Sequence, residues 1–232
     1  MASRAQCALC FDVLVAHFES RSPIALASFV RALDSSPTSA ASSSTSLVDT
    51  PSPVSGAGSS FAAVASNSAT SGNFPLFVTW NTVTKSGQTR LRGCIGTFEA
   101  QPLEKGLRTY AAVAAFEDTR FSPISLKELP TLECGVSLLT DFEDATGPLD
   151  WEWGVHGIRI SFRADGRRYS ATYLPDVPPE HFKSKEQTIE SLVHKSGYYG
   201  ARWTTLDMKV VRYQSSKEHM LYKEYAALRE NL

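Results

Sequence analysis

The stretch Arg92-Gly93-Cys94-Ile95-Gly96 holds the residue types that could do chemistry. A cysteine becomes a strong nucleophile as its thiolate, and a nearby guanidinium favours that form. Leu91 to Phe98 reads as a β-strand, in which side chains alternate between faces. Arg92, Cys94, Gly96 and Phe98 are then expected on one face, with Arg92 about 6–7 Å from Cys94 at a rise of ~3.3 Å per residue. The glycines leave room for another backbone or a ligand near the sulfur, and amides near Gly93 or Gly96 could stabilise an oxyanion. The alternative is a small buried cysteine in a tightly packed strand.

His156 is the second candidate. On a strand expected over 155–162 its parity places it with Ile158, Ile160 and Phe162, on the buried face. There it is either a core histidine with a hydrogen-bond partner or the base for Cys94. Asp118 and Arg120 close the next helical segment. They could orient a base or bind a carboxylate or phosphate, or form a local ion pair on a solvated helix end. Glu152, between Trp151 and Trp153, is a general acid or part of a loop anchored by its aromatic neighbours.

Other constellations lead away from metals and cofactors. Cys7-x-x-Cys10 has no second such pair and no histidine pair at zinc spacing. It falls in a helical pattern with Phe11, Leu14 and Phe18, so core packing is expected there and no metal. His17, His181, His194 and His219 share no ligand spacing and read as surface or half-buried positions. No P-loop, G-x-G-x-x-G, H-E-x-x-H or G-x-S-x-G occurs, so no cofactor is expected.

The elements that must position these groups follow from pattern. Residues 74–83 and 89–98 predict a hairpin around Lys85-Ser86-Gly87-Gln88. Pro102 opens a helix carrying Leu103, Leu107, Tyr110, Ala111 and Ala114 on one face. Ser125 and Glu128 cap a short helix; 132–140 is a strand. Residues 155–162 and 168–174 predict a second hairpin around Asp165-Gly166, 184–195 a helix ended by Gly197, 208–213 a strand and 217–229 a terminal helix. Strands and helices without strict alternation indicate α+β, with a mainly antiparallel sheet flanked by helices. Residues 35–72, rich in Ser, Thr, Ala and Pro, predict a disordered insertion within a single domain of residues 1–232. Ser36-Pro37, Thr50-Pro51 and Ser52-Pro53 are candidate proline-directed phosphorylation sites.

Composition limits the function classes. A net charge of -1 at pI near 6.5 provides no general field for nucleic acid, so the basic, aromatic run Lys209, Arg212, Tyr213, Lys217 is a weak nucleic-acid signal. No membrane span or secretory signal is visible. Four cysteines make no disulfide framework. A cytoplasmic or nuclear location is expected.

The Leu91–Phe98 segment resembles the signature of the AMMECR domain family, named for a candidate gene of the AMME syndrome. Further stretches match in order: Pro75 to Trp80, Gly135 to Thr140, Val155 to Ile160, Ala171 to Pro175, Gln187 to Ile189 and the tail around Tyr213 to Tyr225. Cys10-Phe11-Asp12-Val13-Leu14 is similar to the start of eukaryotic members. The resemblance implies an α+β fold with a larger and a smaller lobe, and it carries no settled activity. Bacterial members often occur fused to, or encoded beside, Memo-like and radical-SAM proteins, which suggests a protein partner or shared pathway by analogy. Two readings stand. One is an enzyme or covalent carrier acting on a small substrate through Cys94, Arg92 and His156, with Gly93, Gly96, Asp118 and Arg120 in the binding pocket. The other is a regulatory or scaffold protein that binds a protein partner through the same cleft.

Overall fold

Alternating β-branched and aromatic residues build six strands among the described residues, and every pairing among them is antiparallel. The computed structural model describes residues 1–35 and 71–232. The Ser-rich segment and its three Ser-Pro or Thr-Pro pairs therefore lie outside the described residues. Strands β1 (Asn73–Val83) and β2 (Thr89–Pro102) form the first hairpin, followed by β3 (Leu132–Asp144). Strands β4 (Gly157–Ala164) and β5 (Arg167–Tyr173) form the second hairpin, and β6 (Met208–Leu221) completes the sheet. The spatial order is β2-β1-β3-β6-β4-β5. The fold is α+β, as the pattern predicts.

Helices α1 (Arg4–Phe18), α3 (Leu103–Phe116) and α6 (Tyr222–Arg229) pack on β1, β2, β3 and the end of β6, and α2 (Leu26–Asp34) packs on α1 and α6. This is the larger core, and it includes Leu76, Val78, Trp80, Val136 and Met220 from the sheet. The smaller core joins β4, β5 and the start of β6 to helix α5 (Lys185–Lys195), through Ile158, Ile160, Val210, Ile189 and Leu192. A short helix α4 (Val177–His181) precedes α5. Helix α1 is buried on every side along Ala5 to Ala16. Cys7 and Cys10 are among those buried residues, and they meet Cys134 of β3 inside the larger core. Burial, and then hydrogen bonds with Cys10 and Cys7, pushes the Cys134 thiol well above the usual range.

One expected element changes type. Residues 217–221 continue β6, and the terminal helix begins at Tyr222. Lys217, Glu218 and His219 are tolerable in a helix, but β3 offers them paired partners in Ser137, Val136 and Gly135. Tertiary pairing outweighs local preference here. Likewise α3 ends at Phe116, so Asp118 and Arg120 sit in the turn beyond it.

Two contacts fix the larger lobe. Asp12 is fully buried, and accepts from Arg21 at 2.6 and 3.1 Å, from the Ile24 N–H at 2.6 Å and from the Tyr225 O–H at 2.7 Å. Burial works to raise this carboxyl, but the donors bring it below its ordinary value. Such a group stabilises the fold above its unfolded value and loses that contribution as pH falls through the folded one. The second contact is α3 on β2. A Cβ on Gly93 would lie 2.1 Å from the Ala114 carbonyl oxygen, so only glycine lets the helix approach this strand.

Two variants test these contacts. Asp12→Ala should lower the unfolding free energy by about 3 kcal/mol at neutral pH in urea titration, and the gap to the native chain should narrow below about pH 4. An unchanged midpoint would contradict this account of the lobe. Gly93→Ala should cost about 3 kcal/mol or more by forcing α3 off the strand; a variant with native stability would show that the helix can shift freely.

Candidate functional site

The sheet curls. Phe98 on β2 meets Tyr213 on β6 with ring centroids 5.6 Å apart, although β1 and β3 lie between those strands. Arg159 of β4 also reaches over the Phe98 ring, at 5.9 Å. The face away from the larger lobe's helices is therefore concave. Phe77, Phe98, Tyr213 and Phe142 form a continuous aromatic cluster along it.

Cys94 lies beside that cluster. It stands directly opposite Thr79, whose face alternates with the buried Val78 and Trp80. Thr79 Oγ1 lies 3.2 Å from Cys94 Sγ and donates to it. The Cys94 N–H donates to Asp118 Oδ2 at 3.0 Å, and Arg120 Nη2 donates to the Cys94 carbonyl at 2.9 Å. Arg120 also grips both oxygens of Asp118, at 2.9 and 2.6 Å. Asp118 is 6% exposed. Its carboxyl is held far below the usual carboxylate range, first by Arg120 and then, against the opposing effect of burial, by the Cys94 and Arg120 amides. Asp118 and Arg120 thus clamp the Cys94 peptide from both sides.

Two cations belong to the same neighbourhood. Arg120 is raised, first by its hydrogen bonds to Asp118 and also by the charges of Asp118 and Cys94. Lys217 is 27% exposed at its side chain; burial pushes its ammonium down and the Cys94 charge works the other way. Lys217 is ion-paired with Asp176, at the start of α4. Lys195, at the end of α5, is lowered by burial and by the charge of Arg120. Its ammonium donates to the Thr172 carbonyl at 2.9 Å and sits 4.3 Å from the Tyr173 ring centroid. Ser215, also on β6, has a buried hydroxyl with no hydrogen-bond partner among the described residues. A buried hydroxyl of this kind is ready to accept a water or ligand bond.

The other expected site residues fall as follows. Arg92 is the extra residue of a β-bulge, because Trp80 pairs with Gly93 and Asn81 with Leu91. The bulge breaks the alternation that would align Arg92 with Cys94. Arg92 Nε instead donates to Glu128 at 2.7 Å, and its Nη groups donate to the Ser122 and Pro123 carbonyls. Gly93 receives α3, and Gly96 lies under Phe77, where a Cβ would come within 2.3 Å of the ring. His156 precedes β4 instead of lying in it. Its Nδ1 accepts from the Glu152 N–H at 2.9 Å and its own N–H donates to the Glu152 carbonyl at 3.0 Å, a local loop closure. Trp151 is buried and stacks on Trp153 at 5.7 Å, anchoring that loop to the smaller core.

Thr79, Lys195, Lys217, Asp176 and Ser215 carry no motif, and sequence reasoning passes over them as site residues. The alternation within 74–83 does place Thr79 opposite Val78 and Trp80 in facing. The basic run around Lys217 is resolved here into ion pairs: Lys209 with Asp144, Arg212 with Glu143 and Asp150, and Lys217 with Asp176. Among the described residues no group of three or more His, Cys, Asp or Glu could hold a metal ion, and no helix is long and apolar enough to cross a membrane.

Comparison with known proteins supplies the lineage. An uncharacterized protein of Schizosaccharomyces pombe is 50% identical over 153 residues, covering 66% of this chain and 78% of that protein. One of Arabidopsis thaliana is 49% identical over 157 residues, covering 66% and 73%. The crystal structure of an uncharacterized protein from Pyrococcus horikoshii aligns with a TM-score of 0.55 at 28% identity, over 63% of this chain and 73% of that one. The AMMECR1 family model matches residues 7–218, which run from within α1 to within β6. The chain belongs to the AMMECR1 family.

Proposed function

We propose that Cys94 is a nucleophile that takes up a small anionic substrate in the concave cleft, as an enzyme or covalent carrier. The observation that carries this reading is the setting of Cys94: a hydroxyl donor from Thr79 at 3.2 Å from Sγ, the Arg120 cation 2.9 Å from the Cys94 carbonyl, and the Lys217 cation on the same face of the sheet. The same cations, with Lys195, suit a carboxylate or phosphate on the substrate. Asp176 on Lys217 marks where such an anion would bind. The Ser215 hydroxyl, without a partner among the described residues, adds a further polar group on the same strand.

In this reading Arg120 and Lys217 supply the charge first sought in Arg92. Arg92 holds the 122–128 loop, and His156 holds the loop before β4. Gly93 and Gly96 shape the strand, so that the sulfur is set at a fixed height above the sheet. The free thiols of Cys7, Cys10, Cys94 and Cys134 fit a reducing compartment such as cytoplasm or nucleus. A partner of the Memo-like or radical-SAM kind would supply or remove the substrate.

Alkylation of the native chain by iodoacetamide, mapped by peptide, tests the proposal. Cys94 should react, while Cys7, Cys10 and Cys134, all fully buried, should react only in denaturant. Lys217→Met and Arg120→Met should each slow the reaction at neutral pH by about three- to tenfold. Arg92→Met should leave the rate within about twofold, since its charge is committed to Glu128. A Cys94 that reacts only after unfolding would reject the covalent reading and leave a non-covalent binding surface for a partner.

A further inference from the structure

The hairpin of β4 and β5 gathers positive charge on its outer face. Phe162, Tyr169 and Val210 turn into the smaller core. Strand alternation therefore sends Ser161 and Arg163 of β4, Arg168 and Ser170 of β5 and Lys209 of β6 to the opposite face. Register places Arg163 directly opposite Arg168, and Ser161 between Lys209 and Ser170. Like charges directly opposite one another on a sheet are destabilising. Neither guanidinium has an ion pair or hydrogen bond among the described residues, whereas Arg92, Arg108, Arg120 and Arg212 each hold a carboxylate. The Ser161 hydroxyl is likewise without a partner among them. Ser161, Arg163, Arg168 and Lys209 line an open cavity of about 310 Å³, with Asp207 beside them.

We propose that this cavity binds the phosphate of a small soluble phosphorylated molecule, at a site separate from the Cys94 cleft. Lys209 stands roughly 26 Å before Lys217 along β6 at the usual rise per residue. Facing Cβ atoms on paired strands lie about 5 Å apart, so both guanidiniums reach one phosphate group, each with a fork of N–H donors. Lys209 adds a point charge, and the Ser161 O–H one more donor. The bound dianion removes the repulsion between the two arginines. Carboxylates border these cations: Asp207 lines the cavity, Asp144 pairs with Lys209 at 3.0 Å, and Asp165 sits in the hairpin turn. They repel a chain of phosphates that runs past the arginines, which favours a compact ligand over a nucleic-acid backbone. Among the described residues, none of the exposed large apolar side chains lies on this hairpin, so it has nothing to insert into a bilayer.

The test is calorimetric titration of the full chain with pyrophosphate at about 50 mM salt. Saturable binding is expected, with a Kd of about 1 mM or tighter. Arg163→Met and Arg168→Met should each weaken it about tenfold. Arg167→Met removes the same charge from the same hairpin, but residue 167 alternates with Arg168 to the other face, so its affinity should stay within about twofold. Arg168→Glu gives Arg163 an opposite charge; it should abolish binding and raise the melting midpoint by about 1 °C. Equal losses from Arg167→Met and Arg168→Met would reduce the effect to general attraction and overturn the site. A lowered midpoint in Arg168→Glu would overturn the account of opposed charges. No saturable binding of pyrophosphate up to about 10 mM would overturn the proposal. Capture of a single-stranded oligonucleotide, or of vesicles of phosphatidylcholine and phosphatidic acid, in place of pyrophosphate would overturn the small ligand and give the arginines to that surface instead.

Discussion

Helix α3 and strand β2 touch backbone to backbone at Gly93, and much of the site is a consequence of that closeness. With the helix pressed on the strand, the turn that follows it emerges level with the Cys94 peptide. Asp118 can then take the Cys94 N–H and Arg120 the Cys94 carbonyl, although both belong to a different segment of chain. The bulge at Arg92 belongs to the same local geometry, since it leaves Gly93 facing the helix and Cys94 facing the cleft. A side chain at residue 93 would separate the two backbones and withdraw the clamp from the sulfur.

The cleft draws on both lobes. Cys94, Thr79 and Arg120 come from the larger one, Lys195 and Asp176 from the smaller, and β6 runs through both and carries Lys217. Ion pairs and hydrogen bonds across such a junction are partly desolvated, so each charge acts more strongly than it would on an open surface. The lowered lysines are symptoms of that setting. Perturbed groups gathered in a cleft mark functional sites more often than they mark plain scaffolding.

Much of the fold was legible in residue pattern. The two hairpins, the Pro102 start of α3, the Ser125–Glu128 cap and the Ser184 start of α5 all follow local rules that no tertiary contact overrides. Legibility failed where an element depends on a distant partner. Residues 217–221 are strand because β3 is beside them, and the Arg92 bulge is invisible to a rule of strict alternation. The site shows the same division. Cys94 announces itself by its flanking glycines, whereas Thr79, Asp176, Lys195 and Lys217 are ordinary residues that only sheet register and lobe packing bring together. The histidine with the plainer sequence signal, His156, closes a loop.

The Tyr225 to Asp12 hydrogen bond spans 213 positions of the chain. Helix α1, apolar on nearly all sides, leaves the ribosome before any of the strands that cover it, and α6 follows only after β6. Throughout that interval the nascent chain carries an unshielded apolar helix, while the smaller core, closed within a local stretch of sequence, can assemble first. The larger core therefore cannot close until α6 has been made, so it is completed after the smaller one.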